Sequence, residues 1–232
     1  MNKNNLLILS FIFVMFTNSC SKKGSCDYKA IEPCVVECNM FENFEDDTVG
    51  TTGNWKVRYA SGLNIQQTGG NNELYVEDDS GASWLYNSTD FPKNLIEQGC
   101  KLKYDVKYLA GSSNSASTDN SIYIYSAANP MFPGTMAYFQ LNSSHLVNSG
   151  DPYVNITVPL ELATGTTLPS NAFGSWKLSG VTPPYSTTDI TNFNNLIQNI
   201  GGIAFFLDEG SNPAEKWWFD NFCFENCCPN NP

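Results

Sequence analysis

Histidine is almost missing from this chain: His145 is the single one in 232 residues. The cysteines also lack two spaced CxxC pairs, so a structural zinc site has neither of its usual ligand sets. Positive charge is scarce, with 12 Lys and Arg against 23 Asp and Glu and a net charge of −11. Nucleic-acid binding depends on cations that neutralise phosphates, which excludes that partner. No apolar run is long enough to span a membrane. The one from Leu6 to Phe16, interrupted only by Ser10, falls well short of the roughly 20 residues a bilayer requires. Gly165 and Gly174 flank no nucleophilic Ser in a Gly-x-Ser-x-Gly elbow. No repeat, charge block or Pro-rich linker divides the chain after residue 40, which predicts one domain there.

What is present begins with an address. Lys3 followed by the short apolar run reads as a signal peptide over residues 1–19. The junction Thr17-Asn18-Ser19-Cys20 resembles the lipobox of bacterial lipoproteins, which implies lipidation of Cys20. An ordinary secretory signal cut near Ser19 is the alternative. Dual acylation anchors stably at ~0.8 kcal/mol per buried methylene. Residues 20–38 then form a tether and Cys-rich segment, with Ser21 to Ser25 short and polar. Removing residues 1–19 takes away Lys3 and no acid, leaving 11 cations against 23 acids and a net charge near −12. The expected location is the bacterial outer membrane, on its periplasmic or cell-surface face.

Cysteines stand at 20, 26, 34, 38, 100, 223, 227 and 228, a usage that belongs to an oxidising compartment. With Cys20 lipidated seven remain, an odd number, so one thiol is unpaired or bridges molecules.

From residue 40, short β-branched and aromatic runs alternate with clusters of Gly, Asn, Ser, Asp and Pro. The pattern predicts an all-β, two-sheet antiparallel sandwich over residues 39–227, with a tail at 228–232. One short helix is expected over 189–198, where Ile190, Phe193 and Ile197 recur at helical spacing. Period two assigns faces: Leu102, Tyr104, Val106 and Tyr108 point inward, and Lys101, Lys103, Asp105 and Lys107 outward. The same rule sends Ile122, Ile124, Phe139, Leu141, Val154, Ile156, Val158 and Leu85 inward. It leaves Trp84, Tyr86, Tyr123, Tyr125, Tyr138, Gln140, Tyr153 and Asn155 outside. The exposed pattern is aromatic.

Three stretches together carry a resemblance: Phe41-Glu42-Asn43-Phe44-Glu45-Asp46 with Trp55; Val158-Pro159-Leu160 leading to Leu168-Pro169-Ser170-Asn171, Gly174 and Trp176; and Gly202 to Leu207 followed by Trp217-Trp218-Phe219-Asp220-Asn221. The layout resembles galactose-binding-like jelly-roll domains of the carbohydrate-binding-module type, over about residues 40–226. The resemblance implies a jelly roll and a structural Ca²⁺ held by Glu45 and Asp220, with Asp46 the weaker ligand; a hard cation takes six to eight oxygens. The alternative roles are a turn cap at Glu45 and a backbone partner for Asp220. Since first and last strands neighbour each other in such folds, it also implies bridges from Cys34 and Cys38 to Cys227 and Cys228. A Cys100–Cys223 bridge follows, with Cys26 left over, among fifteen possible pairings of six cysteines.

Jelly-roll glucanases carry Glu-x-Asp-x-x-Glu on one strand, and no such string occurs. Jelly-roll lyases need a Gln, His and Tyr on facing strands, whereas His145 sits in a loop sequence. The reading is therefore non-catalytic. Sugar rings stack on aromatics while amides, carboxylates and amines take the hydroxyls. A polysaccharide site is accordingly expected on Trp84, Tyr86, Lys103, Asp105, Tyr123, Tyr125, Tyr138, Gln140, Tyr153 and Asn155, if they share a sheet. The alternative is an accessory or adhesion subunit that uses these aromatics against outer-membrane proteins.

Overall fold

Sequence alternation becomes burial in strand after strand of the computed structural model, which describes residues 39–60, 62–78, 83–91, 100–109, 121–126, 134–207 and 215–225, all within the unit Cys34–Pro232. The strands are β1 Asn39–Glu42, β2 Lys56–Arg58, β3 Gly62–Thr68, β4 Asn71–Asp78, β5 Ser83–Asn87, β6 Lys101–Leu109, β7 Ile122–Tyr125, β8 Met136–Leu141, β9 Val154–Pro159, β10 Gly174–Leu178, β11 Gly202–Leu207 and β12 Glu215–Glu225. One sheet runs β3-β4-β12-β6-β9 with β1 added against β12, and the other runs β10-β8-β7-β11-β5-β2. Every pairing is antiparallel, giving the expected jelly-roll sandwich.

The inward sets named from alternation fill the space between the sheets, with Leu85, Leu102, Tyr104, Ile122, Ile124, Phe139, Ile156 and Val158 almost fully buried. Aromatic rings dominate the centre. Trp55 lies 5.1 Å from Phe222 and 5.6 Å from Phe91, and Phe205 lies 4.5 Å from Phe219. Such pairs add about 0.5–1.5 kcal/mol each beyond their burial.

A bulge in β12 fixes the register. Asp220 opposes Asp105 and Cys223 opposes Lys103, so β12 spends one more residue than β6 over this stretch. The extra residue is Asn221, at φ 52°, a conformation that asparagine tolerates. The bulge turns both Phe219 and Phe222 inward, and it lies where β12 exchanges β4 for β1 as its neighbour. It also decides the cysteines. Cys223 pairs with Lys103, three residues from Cys100, and three strand steps of ~3.4 Å exceed the ~7 Å a disulfide can span between Cα atoms. The expected Cys100–Cys223 bridge is corrected: both residues are disulfide-bonded, but the register keeps them from each other. Cys20, Cys26, Cys34, Cys38, Cys227 and Cys228 lie outside the described residues, as does the 1–19 segment.

The helix, α1, spans Thr187–Gln198 and starts two residues before the expected position. Ser186 caps it, accepting from the Asp189 amide at 3.2 Å while the Asp189 carboxylate accepts from the Ser186 amide at 2.8 Å. Ile190, Phe193, Leu196 and Ile197 are its buried residues, and Phe193 packs 5.9 Å from Trp176.

Candidate functional site

The outer face of the β10-to-β2 sheet is tiled with rings. The register places Lys177, Tyr138, Tyr123, Ala204, Tyr86 and Lys56 side by side, one from each of six strands. Five interstrand steps make this row about 24 Å long. A second row runs beside it, with Ser175 next to Gln140 at one edge and Phe206, Trp84 and Arg58 at the other. Trp84 meets Tyr123 edge-on at 4.9 Å and Phe206 at 4.8 Å, and Tyr123 stacks on Tyr138 at 5.3 Å. These four residues and Tyr86 are half-buried, so the rings present surface while supporting one another. Ala204 beneath them is fully covered.

At the β10 edge the face continues into a cleft of about 520 Å³ between the loop of Thr166 and Thr167 and the turn of Pro183, Pro184 and Tyr185, with Lys177 on its wall. Tyr185 is buried, and burial pushes its phenol above the ordinary range. The Pro183–Pro184 bond is cis.

The outer face of the other sheet is built differently. Asn64, Tyr75, Trp218 and Lys107 form one row. Lys107 extends it towards β9, its Nζ lying 5.2 Å from the Trp218 ring and 5.9 Å from the Tyr153 ring. Beside it, Asp220, Asp105 and Asn155 stand in register, with Glu73 and Gln66 on β4 and β3. Amides consume these carboxylates. Asp105 accepts from Asn155 and Asn221, both at 2.8 Å, and Asp220 accepts from Asn71 at 2.9 Å and from the Asn221 amide at 2.7 Å. Burial raises the Asp220 carboxyl above its ordinary value, against the pull of these donors. The network clamps the β12 bulge.

The ten residues expected to share one glycan face therefore divide. Trp84, Tyr86, Tyr123, Tyr138 and Gln140 come together on the β10-to-β2 sheet. Lys103, Asp105 and Asn155 lie on the opposite face, and Tyr153 joins them immediately before β9. Tyr125 has the outward register but is only 1% exposed, lying so close over Gly202 that no side chain fits there. Alternation along a strand tells inside from outside but not which sheet the strand joins, hence the mixed set. Phe206, Lys56, Arg58 and Lys177 belong to the face and were missed. Phe206 hides in the continuous apolar run Ile203 to Leu207, where period two has no polar mark.

The expected calcium ligands do not converge. Glu45 accepts from the Asn72 amide at 3.1 Å, while Asp220 bonds Asn71, whose side chain points to the other side of β4. Asp46 is exposed. The Asn72 side chain donates to the carbonyls of Phe44 at 3.2 Å and Asp47 at 3.3 Å. Among the described residues, no group of three or more His, Cys, Asp and Glu is arranged to hold a metal. His145 lies in a 3-10 turn, Ser143–His145, with its ring 4.8 Å from Phe173.

No protein-family model matches the sequence, and no curated protein matches it. Solved structures do. The chain is similar to an exo-β-agarase over 83% of its length, with 13% identity and a TM-score of 0.54, and to the agarase AgWH50C over 82%, with 13% identity and a TM-score of 0.50. It spans only 26% of each agarase chain. It is also similar to the CBM22-1 xylan-binding domain from Paenibacillus barcinonensis Xyn10C, at 14% identity and a TM-score of 0.41, covering 82% of this chain and 94% of that one. What is shared with the two agarase chains is the fold.

Proposed function

We propose that this protein is a non-catalytic polysaccharide-binding domain whose site is the outer face of the β10-to-β2 sheet. The observation that carries the reading is the six-strand row through Tyr138, Tyr123 and Tyr86, with Trp84 and Phe206 beside it. Pyranose rings present apolar C–H faces that pack on half-exposed aromatics, and a row crossing every strand suits an extended chain. Glycosidase chemistry uses a pair of flanking carboxylates, and the described residues of this face carry no Asp or Glu. Binding without bond cleavage is the function we propose on that composition. Isothermal titration against a panel of soluble polysaccharides tests it, with Trp84→Ala as the control. Binding to at least one polymer, weakened tenfold or more in the variant, supports the reading. No binding to any polymer, with an outer-membrane protein recovered instead, replaces it with a protein-docking role.

The proposal extends to address. Leu6 to Phe16 and the Ser19-Cys20 junction support a lipid anchor on Cys20 that holds the domain at the bacterial outer membrane, where it retains polysaccharide near the envelope. Intact mass of the membrane fraction should show a modified Cys20 at the N-terminus, and Cys20→Ser should release the protein. A soluble wild-type product refutes the anchor.

A further inference from the structure

We infer that the polysaccharide this face takes is an anionic one, with carboxylate or sulfate groups repeated along the chain. The inference rests on the binding reading above and adds the ligand's charge. Acids outnumber cations about two to one in the whole sequence, 23 against 12, yet the described outward residues of the β10-to-β2 sheet include two lysines, one arginine and no acid. Lys56 and Arg58 are exposed at one edge, and Lys177 is half-buried at the other beside the cleft.

Among the described residues, these cations have no acidic partner. Among the described residues, both ion pairs lie on the opposite sheet, where Lys101 and Lys103 meet Glu225 at 3.7 and 3.0 Å. The acids gather there as well, in Glu73, Glu77, Asp105 and Asp220. The Arg58 guanidinium spreads over the Tyr59 ring at 4.5 Å and donates to the Tyr59 hydroxyl, so the cation is held by an aromatic rather than by a carboxylate. In a protein of net charge −11, a polyanion is repelled everywhere except at a locally cationic surface, and a single cationic face then selects how the polymer docks.

The geometry also sets the kind of anion. Lys177 and Lys56 close opposite ends of the row, about 24 Å apart, and no small anion reaches both. A polymer with repeated charges does, laying uncharged ring faces over Tyr138, Tyr123 and Tyr86 between them. Single-stranded nucleic acid shares the requirement for cations and rings, but three cations on an acidic protein are a weak basis for holding a charge at every nucleotide.

The experiment uses the full chain and titrates it with agarose oligosaccharides, a sulfated galactan, alginate and poly(dT), at low and at high NaCl. Wild type should bind the sulfated galactan or alginate at least about tenfold more tightly than the neutral galactan, with the preference lost near 0.5 M NaCl as screening shortens. Lys56→Gln/Arg58→Gln/Lys177→Gln should lose about tenfold on the anionic polymer and little on the neutral one, as partly exposed charge pairs allow. Whichever anionic polymer wins identifies the group as sulfate or carboxylate. Equal, salt-insensitive binding of the neutral galactan, unchanged in the triple variant, overturns this inference and leaves the binding reading standing. No binding to any polymer overturns both, and preference for poly(dT) overturns the choice of a glycan.

Discussion

Tyr123 and Tyr138 face each other across the β7–β8 pairing with rings stacked at 5.3 Å and 30° between planes. Each ring is half-buried, so the pair is at once a brace for the sheet and a surface. Tyr123→Ala removes the ring that also meets Trp84 at 4.9 Å. Its cost in stability should stay near two aromatic pairs, about 1–3 kcal/mol. Glycan affinity should fall tenfold or more. Thermal unfolding and titration of the same sample separate the two effects, and a variant that unfolds early while binding normally would make Tyr123 a packing residue only.

Asn72 predicts a second outcome. Its buried side chain ties Phe44 and Asp47 through their carbonyls and receives the Gln67 amide at 3.3 Å. Phe44 needs that support, since it is fully buried at φ 61°, an uncommon conformation for a residue other than glycine. Asn72→Ala strands buried acceptors and should cost about 1–3 kcal/mol in denaturant unfolding. Asn72→Asp should cost more, because a carboxylate against two carbonyl oxygens offers no donor. Chelation with EDTA should leave the wild-type Tm unmoved, and a drop of several degrees would return a cation to this loop.

The pH dependence follows from two carboxyls. Burial is the largest cause raising both Asp220 and Glu42 above their ordinary values of 3.8 and 4.5, and the charges of nearby acids add to it. A carboxyl whose folded-state pKa is raised binds its proton more readily when folded. Its ionisation therefore opposes folding, and stability should rise as pH is lowered from neutrality through the raised folded values towards 4.5 and 3.8. Relief of overall negative repulsion acts in the same direction, so variants must isolate the local part. Glu42→Gln should flatten the rise of Tm between neutrality and about pH 4.5. An unaltered profile would assign the whole effect to net charge. Asp189 runs the opposite way, its carboxyl lowered by the Ser186 hydroxyl and amide, and its support of the helix cap is lost only below 3.8.

Strands with clean alternation could be read directly, and Ser83–Asn87, Lys101–Leu109 and Met136–Leu141 form as expected. Gly62–Thr68 escaped because it is an edge strand with one fully buried side chain, Ile65, among glutamines and asparagine. The Gly69-Gly70 turn that joins it to β4, at φ 64° and 96°, is its signal in the sequence. Gly174–Leu178 was visible only as Gly174 and Trp176. Of the site, the five ring and amide residues on the correct sheet were legible as outward positions. Their union was not, since pairing order depends on long-range contacts that no local period encodes. Lys56, Arg58 and Lys177 read as ordinary solvated lysines and arginine until the register lined them up.

The β12 bulge carries the last prediction. Without the extra residue at Asn221, position 222 would face outward and the cysteine register would shift by one towards Leu102, still short of Cys100. Neither arrangement brings Cys100 and Cys223 within disulfide reach, although Cys100 is fully buried and Cys223 nearly so. Both are disulfide-bonded, so each must be joined to a cysteine other than its strand neighbour. Peptide mapping of unreduced protein should find Cys100 and Cys223 in two separate cross-linked species and no peptide joining the two. Reduction should lower stability by about 2–4 kcal/mol per bridge, since each restricts the unfolded chain. A Cys100–Cys223 peptide in the unreduced digest would mean that β6 and β12 pair three residues out of the register found here, and with it the placement of Asp105 beside Asp220 would fail.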